Sequence, residues 1–129
     1  VWDAETGQAL RTLEGHLAFV ESAVLSLDGK RVLTASNDNT ARVWDAETGE
    51  VLKKLKHGGD VFSAVFSPNR KRVLTASEDG TASVWDAETG EVLKTVGHGG
   101  SVWLAVFSPN GKFFLTGSED HTAQLSLTP

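Results

Sequence analysis

A seven-residue segment occurs three times in this chain. Val-Trp-Asp-Ala-Glu-Thr-Gly spans residues 1–7, 43–49 and 84–90. Between these copies, His16, His57 and His98 follow one another at intervals of 41 residues. A repeat of this length predicts a small unit that cannot bury its apolar faces alone and must stack on copies of itself. The repeat argues against a compact domain without internal symmetry.

The composition allows such a protein and excludes several functions. Of the 129 residues, 40% are hydrophobic, which is enough for a core. The chain has no Cys, so a disulfide framework and thiolate metal sites are ruled out. A net charge of −5 argues against nucleic acid as a partner, because Lys and Arg dominate binding to phosphates. No apolar run reaches the roughly 18 residues of a membrane helix, and we expect a soluble, cytoplasmic protein.

The periodicity within each repeat is that of β-strands. In the second repeat, the apolar run at 61–67 predicts a strand covered on both faces, which we label a. Segments 72–77, 82–86 and 91–96 predict strands b, c and d. Turns rich in Asp, Asn and Gly separate them. Each repeat is therefore predicted to be an antiparallel meander of four strands.

Several motifs recur in the same phase throughout the chain. They are the Gly-His pairs at 15–16 and 97–98, the Ser-Pro-Asn-Gly-Lys run at 108–112, a Ser-x-Asp-x-Thr run in each repeat, and the Trp-Asp that closes strand c. With these motifs the whole chain resembles the WD40 (WD-repeat) β-propeller family. The resemblance implies an all-β fold of four-stranded blades arranged around an axis. It also implies a non-catalytic scaffold for protein–protein interaction, although this fold hosts many different roles.

The resemblance implies a structural hydrogen-bond relay in each blade. An Asp in the b–c turn would bind the His of the d–a loop, the His would bind a Ser or Thr on strand b, and that hydroxyl would bind the Trp on strand c. The corresponding residues are Asp38, His16, Ser36 and Trp44 in one set, and Asp79, His57, Ser77 and Trp85 in the next. The third set has Asp120, His98 and Ser118, with Ser126 in place of Trp and Leu127 in place of Asp.

Recurring Ser, His and Asp residues also raise the possibility of a catalytic triad or a metal site. Near-identical copies favour a packing role, because an active site needs a single constellation in a cleft. Sialidase-type Asp turns are excluded by the spacing between Asp79 and Trp85. We therefore expect no enzyme activity, no metal and no cofactor.

The order of predicted strands is d, abcd, abcd, abc over residues 1–129, with residues 8–13 as the first strand d. Three blades cannot form a ring of the usual 4 to 8 blades. The first interpretation is a homo-oligomer in which strand d completes the last blade of a neighbour, giving six blades in a dimer or nine in a trimer. The alternatives are an excised piece of a longer WD40 protein, or an engineered or recently amplified propeller whose only activity is assembly.

Partners of this family commonly dock on the rim formed by the d–a loops and the b–c turns. The candidate residues here are Leu17, Phe19, Asp60, Ser101, Asn37, Glu78 and Glu119, with Trp103 as a candidate anchor. The acidic residues favour a basic peptide or protein. The alternative is a solvated rim, with Phe19 covered by its neighbours and Trp103 packed between blades.

Overall fold

The computed structural model describes the whole chain, Val1–Pro129, as eleven β-strands without a helix. The strands are β1 (Val20–Leu25), β2 (Arg31–Ser36), β3 (Thr40–Asp45), β4 (Val51–Lys56), β5 (Val61–Phe66), β6 (Arg72–Ser77), β7 (Thr81–Asp86), β8 (Val92–Gly97), β9 (Val102–Phe107), β10 (Phe113–Ser118) and β11 (Ala123–Leu127). They form three antiparallel sheets, β1–β4, β5–β8 and β9–β11. No helix in the structure is long and apolar enough to span a membrane.

The predicted meander of strands a to d is confirmed. β6 has the predicted bounds, β5 and β7 differ from the prediction by one residue at one end, and β8 is shifted by one residue at both ends. Each tight turn has one residue with positive φ, where glycine is favoured. In the a–b turns this residue is Gly29, Arg70 or Gly111, with φ of 70°, 65° and 73°.

The sheets stack face to face, and each junction contains a small apolar core. The first core joins Leu33, Val43 and Leu55 of the first sheet to Val61 and Val73 of the second, all at most 1% exposed. The second core repeats this contact between the next two sheets, with Leu74, Ala76, Ala82, Val84, Val102, Ala105 and Phe114. Because the two junctions use equivalent positions, the second is a copy of the first.

Strands β1, β5 and β9, the a strands, lie next to one another in consecutive sheets. Each contains a β-bulge near its start, at Glu21, Phe62 or Trp103, where the pairing with the b strand shifts by one residue. A bulge redirects the side chain of its unpaired residue. These three side chains therefore occupy equivalent positions.

The prediction of a strand at residues 8–13 is wrong for the single chain. Only Trp2 and Ala9 form a bridge, although backbone hydrogen bonds from Asp3 N to Gln8 O and from Leu10 N to Val1 O frame it as a hairpin. The segment opposite 8–13 is too short to support a ladder of pairs. The third sheet, correspondingly, has three strands.

The N-terminal hairpin, defined as residues 1–13, nevertheless lies where a preceding sheet would lie. The side chain of Arg11 passes over Gly49, with Cδ 2.9 Å from the position a Cβ would take. The equivalent Lys53 passes over Gly90 at 3.2 Å by the same measure. At this position the hairpin thus contacts the first sheet as the first sheet contacts the second.

Candidate functional site

A chain of hydrogen bonds runs through the second sheet from its upper turn to its core. His57 Nδ1 lies 3.1 Å from Asp79 Oδ2, and His57 Nε2 lies 2.6 Å from Thr75 Oγ1. Trp85 Nε1 donates to the same Thr75 oxygen at 2.8 Å. The first sheet repeats the arrangement with Asp38, His16, Thr34 and Trp44 at 2.7, 2.6 and 2.8 Å. One hydroxyl therefore joins the imidazole to the indole in each set.

The hydroxyl in each relay belongs to a threonine, so the prediction of Ser36, Ser77 and Ser118 in this position is wrong. The register pairs Trp85 with Val73, which makes Thr75 its diagonal neighbour on the same face of the sheet. Ser77 lies a further two residues along, about 7 Å beyond Thr75. Ser77 Oγ instead donates to Asp60 O at 2.9 Å and accepts from Asp79 N at 3.2 Å. It ties the d–a loop to the b–c turn.

A neutral imidazole at His57 fits the order of donors and acceptors in this chain of bonds. The indole N–H donates to Thr75, the Thr75 hydroxyl donates to Nε2, and Nδ1–H donates to Asp79. Burial lowers the pKa of His57, and it outweighs the hydrogen bond and charge of Asp79, which raise it. The chain of bonds is complete in the neutral form, and the Thr75 hydroxyl also lies 3.4 Å from Ser83 O, a second possible acceptor.

The aspartates hold the loops together around each histidine. Burial raises the pKa of Asp79, but hydrogen bonds from the Thr81 hydroxyl and the Gly58 N–H outweigh it, so that the pKa is below its usual value. Burial likewise opposes the fall in the pKa of Asp38, where donation by Thr40 and His16 prevails. The ionised carboxylates thus fix the turn, the loop and the ring at once.

The third sheet has a shorter version of the relay. His98 Nε2 lies 2.7 Å from Thr116 Oγ1 and His98 Nδ1 lies 3.1 Å from Asp120 Oδ2, while Ser126 occupies the position of the indole. Phe114, which is 1% exposed, replaces Val32 and Val73 directly opposite Ser126. A larger residue on strand b therefore offsets the smaller residue on strand c.

The relay hydroxyls are not available to a substrate. Thr75 and Thr116 are completely buried and Thr34 is 5% exposed. Each histidine side chain is also at most 5% exposed. A triad nucleophile has to reach the reacting atom, so this geometry suits structural support of the loops.

Those loops form one rim of the molecule. Backbone bonds from Asn37 N to Phe19 O, Glu78 N to Asp60 O and Glu119 N to Ser101 O join each b–c turn to its d–a loop. Ser101 Oγ also donates to Glu78 O of the neighbouring sheet at 3.3 Å. The structure thus places the predicted rim residues along the same edge of all three sheets.

The rim combines exposed apolar side chains with carboxylates. Leu17 and Phe19 are exposed, so the alternative in which neighbours cover Phe19 is wrong for the single chain. Trp103 stacks on Phe62 of the neighbouring sheet, with ring centroids 4.3 Å apart and planes at 12°, and is still 52% exposed. Asn37 Oδ1 is buried without a hydrogen-bond partner. Glu78 and Glu119 are exposed.

The two end faces of the stack expose residues whose equivalents form the cores. Val61 is completely buried between sheets, whereas its equivalent Val20 on the first sheet is 51% exposed. Leu74 is completely buried, whereas its equivalent Leu115 on the third sheet is 44% exposed. Between the N-terminal hairpin and the first sheet lies a cavity of 610 Å³, lined by Trp2, Ala9, Leu13, Val20, Ala23 and Val32 among others.

Comparison with known proteins identifies the repeat. The family model described as "WD domain, G-beta repeat" matches residues 7–45, 49–86 and 90–125. The crystal structure of the computationally designed Ika8 protein has the same fold, with a TM-score of 0.87 and 30% identity over 98% of this chain and 39% of that chain.

Curated relatives match over a single repeat. Nuclear distribution protein PAC1 of Arthroderma benhamiae and that of Trichophyton verrucosum are each 49% identical over 43 residues, which is 33% of this chain. The chain spans 9% of the length of each relative. The three matched segments of the family model cover most of the chain, and the chain belongs to the WD40 repeat family.

Proposed function

We propose that this chain is a non-catalytic interaction scaffold that assembles with copies of itself into a closed β-propeller. The observation that carries the proposal is the equivalence between the exposed end faces and the buried junctions. The exposed face of the third sheet is equivalent to the faces of the first and second sheets that pack against the following sheet. The exposed face of the first sheet is equivalent to the faces of the second and third sheets that pack against the preceding sheet.

The chemistry of the two end faces is complementary. Leu115 and Leu125, the latter 69% exposed, correspond to Leu33 and Val43, which are completely buried against the second sheet. Val20 corresponds to Val61, one of the residues that Leu33 and Val43 help to bury. A head-to-tail contact between copies would therefore reuse a contact already made twice within the chain, and such contacts close into rings when the rotation permits.

Molecular mass tests assembly directly. Two chains would form a particle of about 28 kDa and three a particle of about 41 kDa, as multiples of 13.8 kDa. We expect such a mass by light scattering at micromolar concentration. We also expect Val20→Glu and Leu115→Glu each to return the protein to 13.8 kDa, because a buried unpaired charge is costly.

Leu27→Glu is the matched control, because Leu27 is exposed in an a–b turn outside the end faces. It should assemble like the unmodified chain. A folded, monodisperse species of 13.8 kDa in the unmodified chain would overturn the proposal. That result would favour the alternative in which further blades of a longer polypeptide cover these faces.

The rim suits a basic peptide as a partner of the assembled scaffold. Asp60, Glu78 and Glu119 form no ion pair in the structure. The stacked pair of Phe62 and Trp103 lies beside them and offers an aromatic face of the kind that attracts cations. A partner would therefore be held by aromatic contact and steered by charge.

A peptide library displayed against the assembled protein tests this part of the proposal. We expect enrichment of Lys- and Arg-containing peptides, at least tenfold weaker binding by Trp103→Ala, and weaker binding at higher salt. Leu93→Ala serves as a control, because Leu93 is exposed on strand d, away from the rim. Equal binding by both variants, or no enrichment of basic peptides, would contradict a role of the rim.

A further inference from the structure

The two ends of the chain contain the same positions of the repeat. Residues 125–129 follow 84–88 at the 41-residue interval, and residues 1–5 repeat the segment 84–88. Val1–Asp3 and the last three residues of β11 are therefore alternative versions of the end of strand c. In a ring built from this chain, each junction would hold one such segment too many.

The structure shows where the N-terminal version lies. The bridge between Trp2 and Ala9 matches the register in the complete sheets, where Trp44 pairs with Val51 and Trp85 pairs with Val92. Residues 1–3 thus occupy the position of strand c beside residues 9–13, the counterpart of strand d. A neighbouring copy that brings its third sheet to this site brings β11 to the same position.

The N-terminal segment is the weaker occupant of this position. It is held by one bridge, its framing backbone bonds and two hydrogen bonds between Val1 and Arg11, and Trp2 is 70% exposed where Trp44 is completely buried. β11, by contrast, pairs with β10 over five consecutive residues. Displacing residues 1–3 therefore loses fewer hydrogen bonds and less packing than separating β11 from β10 would.

The third sheet is also matched to its own strand c. Phe114 lies opposite Ser126 where the second sheet has Val73 opposite Trp85. Phe113 likewise lies opposite Leu127 where the second sheet has Arg72 opposite Asp86. Trp2 beside Phe114 would overfill a space that Phe114 already occupies, and overpacking is costly. The substitutions on β10 therefore favour β11 over the N-terminal segment.

We propose, on the basis of the self-assembly proposed above, that β11 of one copy displaces Val1–Asp3 of the next and pairs with its residues 9–13. Ser126 then pairs with Ala9 of the second copy, as Trp85 pairs with Val92 within the chain. Val1–Asp3 is an internal competitor that occupies the docking position until a second copy replaces it. The occupant of this position is a second copy of the chain, because its β11 is matched to its own β10 at Phe114 and Ser126.

A reversible lock tests this exchange, because the chain has no Cys and an introduced pair forms the only disulfide. Trp2 and Ala9 face each other in a pair without direct backbone hydrogen bonds between them, for which Cα atoms lie about 4.5 Å apart, within the range of a disulfide. In Trp2→Cys/Ala9→Cys, oxidation should hold the segment in place. We expect the oxidised protein to associate at least tenfold more weakly than the reduced form of the same variant.

The single variant Trp2→Ser, treated with the same oxidant, is the control and should assemble regardless of redox state. A second variant, Ala9→Cys/Ser126→Cys, should form a disulfide between chains when the assembled protein is oxidised. Equal assembly of the oxidised and reduced lock, or failure of the second pair to link chains, would overturn the exchange while leaving self-assembly intact. A monomeric unmodified chain would overturn the assembly and this inference with it.

Discussion

The second and third sheets are built on the same frame but differ in how strand c is held. In the second sheet, Trp85 is buried against the first sheet and donates to Thr75. In the third sheet, Ser126 provides no indole, and Thr116 keeps its bond to His98. The bond between histidine and threonine thus persists without the tryptophan. The packing of strand c, by contrast, depends on the tryptophan. Phe114 supplies part of the missing volume from the opposite strand.

The largest expected effect comes from giving the second sheet the residue of the third. Trp85→Ser should lower the free energy of unfolding by about 3–5 kcal/mol, because it leaves a cavity in the first core. Chemical denaturation at fixed protein concentration measures this loss. Adding Val73→Phe, which reproduces the Phe114 and Ser126 combination, should recover part of it. No recovery would show that Phe114 does not compensate.

Removing the hydroxyl should cost more in the second sheet than in the third. Thr75→Val leaves both Trp85 Nε1 and His57 Nε2 without a partner, and we expect a loss of about 2–6 kcal/mol, at about 1–3 kcal/mol for each unpaired buried group. Thr116→Val leaves only His98 unpaired and should cost about half as much. Denaturation of the two variants side by side checks the ratio, and equal losses would contradict the role of the Thr75 hydroxyl as the group that binds both Trp85 and His57.

Acid should weaken the second sheet through His57. Its pKa in the folded chain is lowered from 6.5 by burial, so that at acidic pH the unfolded chain binds a proton that the folded chain does not bind. Stability from this group is complete above about pH 6.5 and falls as the pH drops below it, by at most about 1.4 kcal/mol per pH unit. Unfolding measured between pH 8 and pH 5 shows the slope. His57→Gln should reduce it, and an unchanged slope would assign it to other groups.

The smallest effect concerns the b–c turns. His121 has φ of 73° in the third sheet, where the second sheet has Gly80 with φ of 85°. Because a side chain in this conformation is strained, His121→Gly should raise the free energy of unfolding by about 1 kcal/mol. Thermal unfolding checks the gain. Gly80→His, the converse substitution, should produce a loss, and a gain there would contradict the comparison.

The repeat made most of the fold predictable, because turn residues and alternating apolar residues recur in register three times. The serine in the relay was predicted wrongly because Thr75 and Ser77 lie on the same face of β6, and only the register with Trp85 distinguishes them. Thr75 could have been found from sequence by counting diagonal positions from an assumed pair of Val73 and Trp85. The strand at 8–13 does not form in the single chain because the segment opposite it is too short for more than the one bridge between Trp2 and Ala9.

The pair of Phe113 and Leu127 in the third sheet affects what this sheet offers to a chain that packs against it. The equivalent residues of the second sheet, Arg72 and Asp86, form a salt bridge at 3.6 Å, whereas Phe113 and Leu127 are exposed apolar side chains. A chain that packs against the third sheet therefore meets an apolar pair at a position that is charged in the second sheet. Two substitutions relative to the second sheet are enough to change the chemistry of this surface.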